Sequence, residues 1–121
     1  MGTLTAKILL TSSDVTNDAL VLESTVAHST QNPVVGPSRM STNAAAATNI
    51  LTAAVHTDDT HVYLKNIDAI DSIEVADDAG NVICNLGPGH ANLLTVKGGT
   101  GLEVTASANT PILEYGYWTA S

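Results

Sequence analysis

Between Thr60 and Trp118 the chain repeats one pattern: short runs in which aliphatic side chains recur at every second residue, separated by turn-forming clusters. The runs hold Val62 and Leu64; Ile73 and Val75; Val82, Cys84 and Leu86; Leu94 and Val96; Leu102, Val104 and Ala106; and Leu113, Tyr115 and Tyr117. Between them lie Asp77-Asp78-Ala79-Gly80-Asn81, Gly87-Pro88-Gly89, Gly98-Gly99-Thr100-Gly101 and Asn109-Thr110-Pro111. Successive side chains of a strand point to opposite faces, so each run builds one buried face and one polar face. Short strands joined by polar turns predict an all-β protein, an antiparallel β-sandwich of jelly-roll type. No fixed period recurs, which argues against a solenoid or propeller.

The first half adds strands and one irregular stretch. Thr3 to Leu10 reads as a first strand that ends at the turn formers Ser12, Ser13 and Asp14. Asn17 and Asp18 lead into a second strand over Ala19 to Val26, and Asn49 to Val55 reads as a third. From His28 to Thr48 the texture changes: Pro33, Gly36, Pro37, small polar residues and four consecutive alanines predict a long loop or extended arm. A short helical turn within 43–48, N-capped by Ser41, Thr42 or Asn43, is the only helix expected. The whole chain reads as one domain of 121 residues with eight or nine strands.

Composition narrows the functional classes. Twelve acidic residues against four basic ones give a formal net charge of −8. Lys7, Arg39, Lys65 and Lys97 are scattered, whereas nucleic-acid binding rests on clustered cations that replace counterions on phosphates, so no nucleic-acid partner is expected. No run approaches the ~20 apolar residues of a membrane span, and no basic start leads into a signal-peptide core. The expectation is a soluble protein made in the cytoplasm. With no Phe, three Tyr and one Trp, the core must be built from Leu, Ile, Val and Ala, a light core that contacts with other subunits would reinforce.

Residues able to carry chemistry are few. His56, Asp58, Asp59 and His61 are metal-ligand types within six residues, but the spacing fits a polar turn better than a dedicated zinc site. Asp68, Asp71, Asp77 and Asp78 lack the glycine and glutamate positions of an EF-hand, and Asp77 to Asn81 reads as a hairpin loop in which Gly80 or Asn81 is left-handed. The Gly98 to Gly101 cluster is followed by a strand pattern, not by the helix that a phosphate cradle needs. Cys84 faces inward in a strand as a structural thiol. No catalytic set, metal or cofactor is expected. Alternation puts Tyr115 and Tyr117 on the core face and Trp118 on the opposite one, where it and Tyr63 are the aromatics available to an exposed groove.

Val62-Tyr63-Leu64-Lys65-Asn66, Asn85-Leu86-Gly87-Pro88-Gly89 and the final Leu113-Glu114-Tyr115-Gly116-Tyr117-Trp118 together resemble the small β-sandwich structural proteins of tailed bacteriophage virions. The resemblance covers the second half of the chain and brings no catalytic residue. It implies a non-enzymatic structural protein, of the decoration or cement type. Such a protein braces neighbouring copies of the major capsid protein on the outer surface of the capsid, as a homo-oligomer such as a trimer. Tail and fibre components, and glycan-binding sandwiches, are the alternatives. The expected partner contacts are Val34, Val35, Arg39 and Met40 in the long connection, with Trp118, because exposed aliphatic, Met, Arg and aromatic side chains are interface types.

Overall fold

The structure, a computed structural model, describes residues 2–14 and 19–121. The turn expected around Asn17 and Asp18 lies outside the described residues. Nine strands are present among those described: β1 (Gly2–Ser12), β2 (Leu20–Ser41), β3 (Thr48–Leu51), β4 (Thr60–Asn66), β5 (Ile73–Asp77), β6 (Val82–Leu86), β7 (Ala91–Val96), β8 (Leu102–Ala106) and β9 (Ile112–Ala120). They form a five-stranded sheet of order β1-β2-β9-β4-β7 and a four-stranded sheet of order β3-β8-β5-β6.

All the pairings are antiparallel, and they nest: β5 with β6, β4 with β7, β3 with β8 and β2 with β9. A single long hairpin, folded at the β5–β6 turn and rolled so that alternate strands fall in opposite sheets, produces this order. It is the eight-stranded jelly roll, with β1 added at one edge. The fold expected from the alternating pattern is therefore the one observed.

The core lies between the sheets. Val62, Leu64 and Leu113 from the first sheet meet Leu51, Ile73, Val75, Leu86, Leu102 and Val104 from the second, all of them almost completely buried. Each such aliphatic side chain contributes about 1.5–3 kcal/mol when taken out of water. Met40, Leu94, Tyr115 and Tyr117 pack around this cluster. At the β5–β6 turn, Asp77 accepts hydrogen bonds from the N–H groups of Ala79 (3.0 Å) and Asn81 (2.9 Å), and Gly80 has the left-handed φ of +85°. Those bonds, the one from Asn81 first, hold the Asp77 carboxyl below its usual pKa.

Several expectations are corrected. Most of the stretch 28–48 is not a loop: β2 continues through it to Ser41, paired with β9 across two register shifts that contain Pro33 and Pro37, and only 42–47 connect it to β3 outside any strand. Proline has no N–H to give to a ladder, and bulges are where a strand tolerates it. The side chains of β9 and β2 serve the interrupted backbone there. Thr119 Oγ1 donates to the Pro33 carbonyl at 2.8 Å, and Gln31 Nε2 to that of Ala120 at 2.9 Å. No helical turn forms over 43–48; Asn43 Oδ1 instead accepts the Ala45 N–H at 2.8 Å, the local bond by which Asn favours turns over helix. The third strand stops at Leu51 and turns through 53–55. A register shift between Val82 and Cys84 places Val82 opposite Ala76, off the face that Cys84 and Leu86 share, so Val82 is exposed where alternation put it inward.

Candidate functional site

The register assigns every residue of the five-stranded sheet to one of two faces. Val62, Leu64, Leu113, Tyr115 and Tyr117 look toward the other sheet; His61, Tyr63, Lys65, Glu114, Gly116 and Trp118 look away from it. On β7, Leu93 and Thr95 pair with Tyr63 and His61 and share their outer face. The sheet curls toward this outer face, so that its two edge strands approach across a groove of about 540 Å³. The groove is lined by Leu4, Ala6 and Ile8 of β1, Tyr63 of β4, Leu93 of β7 and Trp118 of β9. A second hollow of about 400 Å³ lies on the other side of Trp118, against Thr30 and Val34.

Trp118 and Tyr63 thus share one concave surface, as far as the alternation of β4 and β9 could foretell, and the structure adds Leu93 and the N-terminal strand to it. Tyr63 donates from its hydroxyl to Glu114 Oε1 at 3.3 Å. Burial, then the charge of Glu114 and that hydrogen bond, push the Tyr63 phenol above its usual pKa, so it stays protonated at any physiological pH.

Arg39 lies on this face opposite Glu114, and its Nε and Nη2 both reach Glu114 Oε2 at 3.3 Å. The expected fork to a partner's carboxylate is therefore directed within the chain, although the guanidinium is still largely exposed. Val34 is opposite Trp118 and exposed, as a contact residue would be. Val35 and Met40 are not on this face. They sit opposite Tyr117 and Leu113, on the side of the sheet that faces the other sheet, and Met40 packs against the core.

The His56 to His61 cluster is dispersed by the fold. His56 Nδ1 lies 3.1 Å from the Thr52 nitrogen and its ring meets Tyr117 edge-on at 5.2 Å. Asp59 accepts the Gly98 N–H at 2.8 Å. His61 turns to the concave face, nearly buried, with Nδ1 2.9 Å from Thr95 Oγ1. Its neighbour is His28 of β2, whose ring centroid is 4.2 Å away. Among the described residues, no group of three or more His, Cys, Asp or Glu side chains is placed to hold a metal ion. Asp68 accepts the N–H groups of Ile70 (3.0 Å) and Asp71 (2.7 Å), which makes it a turn residue. Cys84 packs at the edge of the core, with Asn92 Nδ2 at 3.6 Å from its sulfur.

The first two strands pair as a hairpin ribbon, one of the two arrangements that their sequence allows; what linear reading does not show is that nearly half of β2 has no further partner strand among the described residues. Over Leu20–Ser29, β2 pairs only with β1 among the described residues, because its contact with β9 begins at Thr30. Ile8, Leu9, Leu10, Val21, Leu22 and Val26, all on this ribbon, are exposed. The signal was present as the Ile8-Leu9-Leu10 run, which reads as a buried strand until its pairing shows that only one neighbour covers it. Among the described residues, no helix is long and apolar enough to cross a membrane.

These features define an eight-stranded jelly roll extended by a two-stranded β-ribbon, whose strand β1 faces β7, Tyr63 and Trp118 across a concave apolar groove. Comparison with protein-family models, with curated proteins and with solved structures finds no match to this chain.

Proposed function

We propose that the protein is a non-enzymatic structural component of a tailed-phage virion. It is a decoration or cement protein that docks on the outer surface of the capsid, contacts the major capsid protein and acts as a homo-oligomer. The observation that carries this reading is the ribbon: half a dozen large aliphatic side chains stand exposed on two strands that pair, over Leu20–Ser29, only with each other among the described residues. Apolar surface of that extent on a small domain marks a contact surface. The net charge of −8 supports the outside of a shell over its DNA-facing side, where packed phosphates would repel it. The jelly roll itself does not discriminate, because capsid proteins and lectins share it.

The experiment is localisation. Electron cryomicroscopy of intact particles containing the protein is expected to show its density on the head, at junctions between capsid subunits. Density confined to the tail would replace the cement reading with that of a tail or fibre component. A glycan-binding module is the second reading, favoured by Tyr63 and Trp118 lining one groove. Retention on a glycan array that is lost in Trp118→Ala would establish it.

A further inference from the structure

We propose that the apolar face of the ribbon is the docking site for a second copy of the same chain, two ribbons stacking face to face about a two-fold axis. The inference rests on the reading that the protein works within an assembly, and it names the surface and the partner.

The register separates the ribbon into two unlike faces. Leu4, Ala6, Ile8 and Leu10 of β1 stand beside His28, Val26, Ser24 and Leu22 of β2 on one face. Ile8, Leu10, Leu22 and Val26 there are 51%, 54%, 53% and 46% exposed. The other face is mixed: it carries four Thr and the ion pair between Lys7 Nζ and Glu23 Oε1 at 3.3 Å, with Leu9 and Val21 as its exposed large aliphatics.

Three considerations select a second copy as the occupant. The first is charge: two chains of net −8 repel each other, yet the apolar face holds neither carboxylate nor ammonium. It is a surface on which like chains can meet without desolvating like charges. The second is architecture. A two-stranded ribbon is marginal in water and becomes stable when a further layer covers its apolar side. Two identical ribbons supply that layer to each other as a small sandwich, and a stripe shared by both strands, with Leu10 directly opposite Leu22, is self-complementary under a two-fold rotation.

The third is area. The paired segment from Leu4 to Ser12 spans roughly 30 Å, and a two-stranded face of that length offers on the order of 500 Å² per copy. The total is then about 1,000 Å², the lower bound for a specific interface. Leu4, Ala6 and Ile8 of this face also line the concave groove, so the contact is centred on Leu10, Leu22 and Val26 and is extended by the groove surface around Trp118.

The test is the association state of the full chain. Sedimentation velocity at micromolar concentration is expected to give a dimer, and Leu22→Glu to weaken association by about 100-fold or more with an unchanged far-UV spectrum. Cross-linking makes the result independent of that one variant. In a Cys84→Ser background, cysteine at Ile8, Leu10 or Leu22 is expected to yield disulfide-linked dimers on oxidation, and cysteine at Lys7 or Thr25, on the opposite face, is not. A monomeric wild type, or equal cross-linking from both faces, overturns the inference. A monomer that binds capsid shells through Leu22 also overturns it, assigning the face to the shell and leaving the virion reading in place. Self-association by a protein absent from the particle does the reverse.

Discussion

The imidazole of His28 on β2 lies over that of His61 on β4, with ring centroids 4.2 Å apart and planes tilted by 39°, just before β2 takes up its pairing with β9 at Thr30. His61 is nearly buried, and its pKa is lowered first by that burial, then by His28, against the opposing pull of Asp59. A base with a depressed folded-state pKa binds its proton more readily in the unfolded chain. Its contribution is fully present above the usual histidine value of 6.5 and is lost as pH falls below 6.5 toward the folded value. Acidification from pH 7.5 to 5.5 is expected to lower the melting temperature, in a range where the carboxylates remain ionised. His61→Gln should flatten that dependence. An equal slope in the variant and the wild type would show that the pair does not couple to folding.

Asn66 is fully buried and holds three chain segments together. Its Nδ2 donates to the carbonyls of Asp71 (2.8 Å) and Leu86 (3.0 Å), and its Oδ1 accepts the Asp68 N–H at 3.0 Å. Its backbone is equally engaged, with its N–H given to the His90 carbonyl and its carbonyl accepting the Gly89 N–H, both at 2.9 Å. Replacing it by Ala leaves buried carbonyls without donors, at about 1–3 kcal/mol each. Asn66→Ala is therefore expected to destabilise the fold by about 2–4 kcal/mol, measured as a shift in the urea midpoint with an unchanged slope. A loss below about 1 kcal/mol would mean that water replaces the side chain.

Asn66 also shows how the sequence could be read and where reading stopped. It ends the run Tyr63-Leu64-Lys65-Asn66, and the turn Leu86-Gly87-Pro88-Gly89 supplies two of its partners, so two motifs noticed separately are one packed corner. Alternation exposed the strands because burial on one face demands it, and Val62, Leu64, Val75, Val104 and Leu113 all lie where that rule puts them. Pro33, Gly36 and Pro37 misled because the local signal for a loop is also the signal for a bulge. Only the long-range pairing with β9 decides between the two, and Thr119 reaching Pro33 is invisible in a linear reading. The same holds for His28 with His61, and for Met40, whose place opposite Leu113 depends on that register.

Gly36 faces Gly116 across the β2–β9 pair so closely that a Cβ on Gly36 would lie 2.6 Å from the Gly116 Cα. Its φ of +135° is also one that residues other than glycine rarely adopt. Gly36→Ala is expected to cost about 2–4 kcal/mol, combining backbone strain with a clash that only main-chain movement can relieve. Gly80→Ala is the control, since its φ of +85° is unfavourable but nothing lies within 4 Å of the added methyl. It should cost about 1–2 kcal/mol. Equal losses in thermal or chemical unfolding would show that the close approach to Gly116 contributes nothing.

Arg39 and Glu114 form an exposed pair on the same face as Trp118, and surface pairs of this kind contribute about 0–1 kcal/mol. Their removal should hardly affect the isolated fold. Arg39→Ala is expected to melt within a few degrees of wild type, and Arg39→Glu slightly lower, because it sets one carboxylate against another. If the protein is the capsid-bound component proposed above, both variants are expected to bind stripped shells with reduced occupancy, the charge reversal more so, since the exposed Arg39 guanidinium can exchange Glu114 for a carboxylate of the shell. Val34→Asp, on the same face beside Trp118, should act in the same direction. Met40→Ala should not act at the shell at all: it opens a gap against Leu113 and the core, and is expected to cost about 2–3 kcal/mol of stability while the folded fraction binds normally. Occupancy unchanged by Arg39→Glu and Val34→Asp, measured by electron microscopy of reconstituted shells, would remove this face from the attachment mechanism.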